Sequence, residues 1–114
     1  MLIRRGDLLL IDFAPARDGE ANYIHPAIVV TNNVMNIDAP VIVVIPLTNN
    51  IERTYHFQVF LPSARTGLNF DSKAQVELVR HIGTTRILKR LSFLPDDLMD
   101  ELDQRLLEHL ALKR

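Results

Sequence analysis

The 114-residue chain contains no cysteine, so disulfide bonds and thiolate chemistry are excluded. It also contains no apolar run close to the ~20 residues that a membrane-spanning helix requires. Residues 1–7 carry charges where a signal peptide would need its apolar segment. The sequence therefore predicts a cytoplasmic protein with no membrane partner.

The chain also lacks an excess of positive or negative charge, because its formal net charge is −1. No overall basic field marks the chain as a nucleic-acid-binding protein, so such binding would need a local basic patch. Hydrophobic residues make up 47% of the chain and charged residues 24%, which is typical of a folded domain rather than a disordered chain. The length fits one hydrophobic core, and we expect a single domain over residues 1–114.

Close histidine spacing is absent as well. No pair of the four histidines shows the short helical spacing of a metal site, so we predict no metal and no other cofactor. His56 and His109 belong to no recognisable motif, and we expect them to be structural or exposed.

Short apolar and β-branched runs between turn signals predict five strands, at residues 7–13, 26–32, 40–48, 55–61 and 73–81. Pro46 cannot donate to a strand ladder, so pairing should falter there and leave Thr48 at a strand end. In the fifth run, alternation directs Ala74, Val76 and Leu78 toward the core.

The last segment changes its period. Leu98, Leu102, Leu106 and Leu110 recur at every fourth position, which predicts an amphipathic helix that covers one end of the fold or binds a partner. Strands and helices do not alternate along the chain. The pattern therefore predicts a mainly β fold, a small curved antiparallel sheet or barrel closed by a C-terminal helix.

A long polar stretch over residues 12–26 joins the first two predicted strands. It contains Arg17, Glu20, Asn22, Tyr23 and His25. Long loops on rigid strands often carry binding and catalytic groups. An ordinary solvated connection is the alternative.

Several motifs occur in a characteristic order. Arg5-Gly6-Asp7 precedes the first strand, His25-Pro26 opens the second, and Thr48 ends the third. Further matches are Asp71-Ser72 and residues 77–82 with Arg86 beyond. Over nearly the whole chain, this order resembles the MazF/PemK toxins of bacterial type II toxin–antitoxin systems.

The resemblance implies an SH3-like small barrel of about five to seven strands that forms a homodimer. It implies a metal-independent, sequence-selective endoribonuclease that cleaves single-stranded RNA, including mRNA, and is neutralised by a MazE-like antitoxin. Attack by the 2′-hydroxyl would leave a 2′,3′-cyclic phosphate and a 5′-hydroxyl. A CcdB-like toxin of the same barrel, which binds gyrase, is an alternative.

The resemblance also assigns catalytic positions. Thr48 and the acid Glu20 are retained, but His25 stands where the family has an arginine. Arginine stabilises charge and is a poor base, whereas histidine can accept or donate a proton near neutrality. We hypothesise that His25 acts as general acid or base while Thr48 holds a phosphate oxygen. A second hypothesis is that the exchange weakens cleavage and leaves an RNA-binding or antitoxin-binding protein.

The remaining candidates are RNA contacts. Arg17, Arg80 and Arg86 are predicted phosphate contacts, and Asn22 belongs to the same loop as Arg17. Tyr23 could stack on a base, as aromatic side chains do in single-stranded recognition. Two further candidates lie at the ends of predicted strands. His81 could complete an acid–base pair with His25 or simply be exposed at a strand end, and Phe13 could stack or belong to the core.

Overall fold

The computed structural model describes residues 1–14 and 23–113. Seven strands are present in this part of the chain: β1 Asp7–Asp12, β2 Ile24–Val29, β3 Val41–Thr48, β4 Val59–Leu61, β5 Ser72–Ala74, β6 Arg80–Gly83 and β7 Ile87–Phe93. The helices are α1 Asn33–Asn36, α2 Ser63–Thr66 and α3 Asp96–His109, with 3₁₀ turns at Val76–Leu78 and Thr84–Arg86. No helix in the described ranges is long and apolar enough to cross a membrane.

All strand pairs are antiparallel, in the order β4-β5-β3-β2-β1-β7, and β6 pairs with β3. In the described residues β4 and β7 do not pair with each other, so the curved sheet does not close into a complete barrel. The predicted mainly β class, the curved antiparallel sheet and the C-terminal helix are confirmed.

Pro46 marks a change of partner along one edge of β3. Residues 41–44 pair with β6, whereas Leu47 and Thr48 pair with β5. Because proline lacks an N–H group, it cannot continue the ladder on that side. Its carbonyl instead accepts a hydrogen bond from the Gln75 N–H at 2.9 Å. The predicted break at Pro46 is therefore confirmed, and Thr48 is the last residue of β3.

Three strand predictions were wrong in detail. The predicted fifth strand is divided into β5 and β6 by the 3₁₀ turn at Val76–Leu78. Ala74 in β5 and Val76 in the turn are buried as predicted, whereas Leu78 is exposed. The fourth strand begins at Val59, because a turn from Tyr55 to Gln58 precedes it. Strand β7 was not predicted, and most of its residues are exposed or half-buried, so they give no clear alternation.

The Arg5-Gly6-Asp7 motif has a structural role. Gly6 has φ +94°, a left-handed conformation that favours glycine. Arg5 forms a half-buried ion pair with Asp103 of α3. The Asp7 carboxylate accepts a hydrogen bond from Arg90 of β7 at 2.9 Å. The motif therefore joins the start of β1 to the helix and to the edge strand.

Each face of the sheet carries a core cluster. The first cluster joins alternate residues of β1 to β5 with α3 and contains Leu8, Ile28, Ile45, Leu47, Val59, Leu61, Leu98, Met99 and Leu102, among others. The second cluster lies on the opposite face and contains Ile3, Leu9, Ile11, Phe13, Ala27, Val29, Ile42, Val44 and Ile82. Helix α3 therefore covers the first face and leaves the second for other elements.

The start of α3 is also held by α2. The Arg65 guanidinium donates to Asp97 Oδ1 at 2.6 Å, and this hydrogen bond holds the pKa of the exposed Asp97 carboxyl below its usual range. Asp96 and Asp97 lie in the first turn, where the helix dipole favours negative charge. These contacts fix where the helix begins.

The leucine stripe of α3 predicts unequal costs of truncation. Leu102 is 0% exposed and Leu110 is 48% exposed. We expect Leu102→Ala to lower the free energy of unfolding by about 2–5 kcal/mol, because it removes buried contacts and leaves a cavity. Leu110→Ala, the control, should change it by about 0.5 kcal/mol or less. Urea unfolding measures both, and equal losses would show that the helix does not pack as described.

Candidate functional site

His25 and Thr48 lie next to each other on neighbouring strands. The β2–β3 register pairs Ala27 with Pro46, and two further positions along it place His25 opposite Thr48. Side chains alternate between the two faces of a strand. His25 therefore shares a face with Ala27, and Thr48 shares the same face with Val44. Both side chains stand where the second core cluster ends.

Phe13 and Arg80 complete this group. A depression of about 300 Å³ is lined by His25, Thr48, Phe13 and Arg80, together with Pro46, Gln75 and Leu78. The Phe13 and His25 ring centroids are 6.4 Å apart, and Arg80 Cζ lies 5.2 Å from the Phe13 centroid. Phe13 is only 8% exposed and forms the floor. The cation–π contact holds the guanidinium over that floor.

A backbone hydrogen bond orients the Thr48 hydroxyl. Thr48 Oγ1 accepts from the Asn50 N–H at 3.2 Å, and Asn50 Oδ1 in turn accepts from the Glu52 N–H at 3.4 Å. A hydroxyl that accepts one hydrogen bond still has its own proton to donate. The arrangement therefore provides an imidazole, a hydroxyl donor and a guanidinium around one depression.

Comparison with known proteins identifies the family. The sequence profile described as "PemK-like, MazF-like toxin of type II toxin-antitoxin system" matches residues 4–110. The chain belongs to this family.

Relatives and a solved structure agree with this assignment. The chain is 41% identical to endoribonuclease MazF9 of Mycobacterium tuberculosis, over 97% of this chain and 98% of that protein. It is 29% identical to endoribonuclease EndoA of Bacillus subtilis, over 98% and 97% respectively. A MazE–MazF crystal structure from Deinococcus radiodurans superposes with a TM-score of 0.80 at 22% identity, covering 99% and 100% of the two chains. The predicted family and fold are confirmed, and the relatives support the predicted endoribonuclease.

Not every predicted site residue of the MazF-like toxin lies in the described structure. Arg17, Glu20 and Asn22 fall in residues 15–22, outside the described residues. Tyr23 is half-buried against the second core cluster, and its carbonyl accepts from the Phe13 N–H at 3.0 Å. It is therefore a packing residue at the base of the loop rather than a fully exposed platform.

His81 and Arg86, the two candidates that follow Arg80 in the chain, lie in different places. His81 follows Arg80 on β6 and pairs with Val43, so its side chain lies on the opposite face of the sheet. The structure does not bring His81 to His25, and the acid–base pair considered from sequence is not assembled in the described chain. Arg86 donates to the Asp12 carbonyl at 3.4 Å, which places it beside the end of β1 and next to Phe13.

Residues that the sequence did not single out line a second depression of about 450 Å³ beside His25 and Thr48. Among them are Asn49, Asn69, Phe70 and Lys89. Asn69 and Phe70 belong to a turn-rich loop, and Lys89 lies on the unpredicted strand β7. Since only the strand register brings these segments together, no local sequence signal could have found them.

No three acidic, histidine or cysteine side chains within the described ranges are arranged to hold a metal ion. Metal independence stays a prediction that a chelator tests.

Proposed function

We propose that this toxin is a metal-independent, sequence-selective endoribonuclease that cleaves single-stranded RNA, including mRNA. The observation that carries the proposal is the convergence of His25, Thr48 and Arg80 around one depression floored by Phe13. The names of MazF9 and EndoA, and the identity to MazF9 over nearly the whole chain, support the same activity.

RNA cleavage requires three catalytic functions that these side chains can supply. Attack of the 2′-oxygen on phosphorus requires a proton acceptor, departure of the 5′-oxygen requires a proton donor, and the phosphorane charge requires stabilisation. The P–O2′ bond forms as the P–O5′ bond breaks, leaving a 2′,3′-cyclic phosphate and a 5′-hydroxyl. We assign one proton transfer to His25 and the other to Glu20. Thr48 donates to a phosphate oxygen, and Arg80 stabilises its charge.

The surrounding residues would guide the RNA to this point. We propose Arg86 and Arg17 as phosphate contacts, because arginine binds phosphate through several donors. Asn22, Tyr23 and His81 are proposed as further RNA contacts. Tyr23 would contribute the exposed part of its half-buried ring, and His81 would act from the opposite face rather than beside His25.

We further propose that the toxin is a cytoplasmic protein, made as one domain over residues 1–114, and that a MazE-like antitoxin neutralises it. The Deinococcus radiodurans MazE–MazF complex and the matching family description support the antitoxin proposal. Copurification of the toxin with the product of an adjacent antitoxin gene tests it, and a toxin that remains active with excess antitoxin would contradict it.

A homodimer is the proposed assembly. Six large apolar side chains of two adjoining segments are exposed: Met1, Leu2, Val34, Met35, Ile37 and Val41. The segments are joined by a hydrogen bond from the Arg5 N–H to Asn33 Oδ1 at 2.7 Å. An exposed apolar patch of this kind marks an interaction surface. Sedimentation velocity should show a dimer that Val34→Asp weakens, and a monomeric wild type would contradict the proposal.

One assay tests the cleavage proposal. The purified toxin is incubated with single-stranded RNA in EDTA, and the new ends are identified. We expect cleavage with 2′,3′-cyclic phosphate and 5′-hydroxyl ends. RNA binding without cleavage would favour the second candidate, a binding protein in which the histidine at position 25 does not functionally replace the arginine of the family. Gyrase inhibition without RNA cleavage would instead indicate a CcdB-like toxin.

A further inference from the structure

The depression of about 450 Å³ lies between the start of β2, the end of β3, the loop before β5 and strand β7. Leu47, Leu68 and Leu91 line it and also pack with the first core cluster, so its floor is apolar. Its volume lies within the ~300–1,000 Å³ range of small-ligand sites. His25 and Thr48 line this depression as well as the smaller one that contains Arg80.

The rim offers groups suited to a nucleotide. The side chains of Asn49, Asn69 and Lys89 make no hydrogen bond or ion pair to another described residue. The ring of Phe70 is 64% exposed. Two amides, one ammonium group and one open aromatic face are therefore available around a single concave, apolar floor.

We propose that this depression is the subsite for a nucleotide next to the scissile phosphate, an inference that rests on the proposed ribonuclease activity. A phosphodiester held by His25 and Thr48 carries a nucleoside on each side, and these two residues separate the two depressions. One nucleoside enters the depression beside Arg80, and the other enters the depression beside Phe70.

Each polar or aromatic side chain at the rim has a specific role in this subsite. Phe70 stacks on the base, because every base has a π face and exposed aromatic side chains bind single strands in this way. Asn49 and Asn69 hydrogen-bond the base edge, as side-chain amides do when unpaired bases are read. Lys89 pairs with Leu10 of β1 at the side of the depression. Its ammonium group binds, as a point charge, the phosphate that follows this nucleotide in the RNA.

The two asparagine amides argue against an apolar side chain of a bound peptide as the occupant of this depression. An apolar peptide side chain seated on this floor would cover the two asparagine amides without offering them partners. Covering unpaired polar groups is unfavourable. A base fills the apolar space with its ring and satisfies the amides with its edge.

The test is a change in base preference. A randomised single-stranded RNA is cleaved in EDTA, and the 5′-hydroxyl ends are sequenced. Asn69→Asp keeps the size of the side chain and replaces its N–H donors with an acceptor. We expect it to change the base preference at one position flanking the cut by about tenfold. Phe70→Ala should raise KM for this RNA by about tenfold, because stacking on the ring is lost.

Phe93→Ala is the matched control. Phe93 is 69% exposed on β7 and lines neither depression, so KM and base preference should not change. Cleavage by the wild type, with unaltered KM and preference in both Phe70→Ala and Asn69→Asp, would overturn the subsite while the proposed function stands. Weaker antitoxin binding without any effect on RNA would overturn it in favour of a peptide site.

A second measurement separates the subsite from catalysis. Anisotropy of a fluorescein-labelled single-stranded oligodeoxynucleotide of mixed sequence reports binding without a 2′-hydroxyl to cleave. Affinity about tenfold weaker in Phe70→Ala, but unaltered in Phe93→Ala, supports the subsite. Equal affinity of both variants overturns it, even if the wild type cleaves no RNA. A wild type that neither cuts nor binds overturns the proposed function and the subsite together.

Discussion

His25→Ala should lower kcat/KM for RNA cleavage by about 10²–10⁴-fold, the usual contribution of one general acid or base. Imidazole ordinarily changes charge between about pH 5 and 8. A group that transfers a proton gives a limb in the pH profile of kcat/KM, and His25→Ala should remove that limb. A limb that rises with pH identifies His25 as the base that accepts the 2′-hydroxyl proton, and a falling limb identifies it as the acid. Initial rates across this pH range measure both effects.

His25→Arg is the informative control because arginine stays charged throughout that range. It can stabilise the phosphorane but cannot readily exchange a proton, so the limb should disappear while more activity remains than in His25→Ala. A limb that persists in His25→Ala would assign it to another group. Unchanged activity in both variants would show that the position does not take part in cleavage.

The parts of the fold that the sequence predicted well are those with a strong local cause. Pro46 lacks an N–H group, and the β3 ladder changes partner at that residue. The leucine repeat from Leu98 predicted α3, whose buried face contacts the first core cluster. Strand β7 has no comparable signal. It is an edge strand with little burial, and its pairing with β1 is set by tertiary contacts.

The site residues, too, were predicted only where a sequence signal was present. The family resemblance related His25 to Thr48, and the β2–β3 register, continued by two positions, places them opposite each other. The sequence could not predict that a 3₁₀ turn would reset β6 and thereby place Arg80, rather than His81, on the face of His25, because a shift of one residue exchanges the two faces. Nor could it reveal that Phe13 is the floor between His25 and Arg80, since an aromatic residue at a strand end suits the core and the site equally.

Thr48→Val should lower kcat by about 10²–10³-fold, comparable to the loss of one donor to a developing oxyanion. Valine keeps the β-branched shape and the strand preference, so the end of β3 should fold as before. Only the hydroxyl is lost, and with it both the acceptor for the Asn50 N–H and the donor to the phosphate. Asn50 is exposed, so water can satisfy its freed N–H.

Thr48→Ser separates the role of the hydroxyl from that of the γ-methyl group. Serine retains the acceptor and the donor but lacks the γ-methyl group, and we expect it to recover most of the activity. Because the donor acts on charge that develops during the reaction, kcat should fall in Thr48→Val with little change in KM. A rise in KM at constant kcat would mean that Thr48 binds the RNA equally in the ground state and the transition state. Loss of activity in Thr48→Ser as large as in Thr48→Val would show that the γ-methyl group, packed where β3 ends, positions the site.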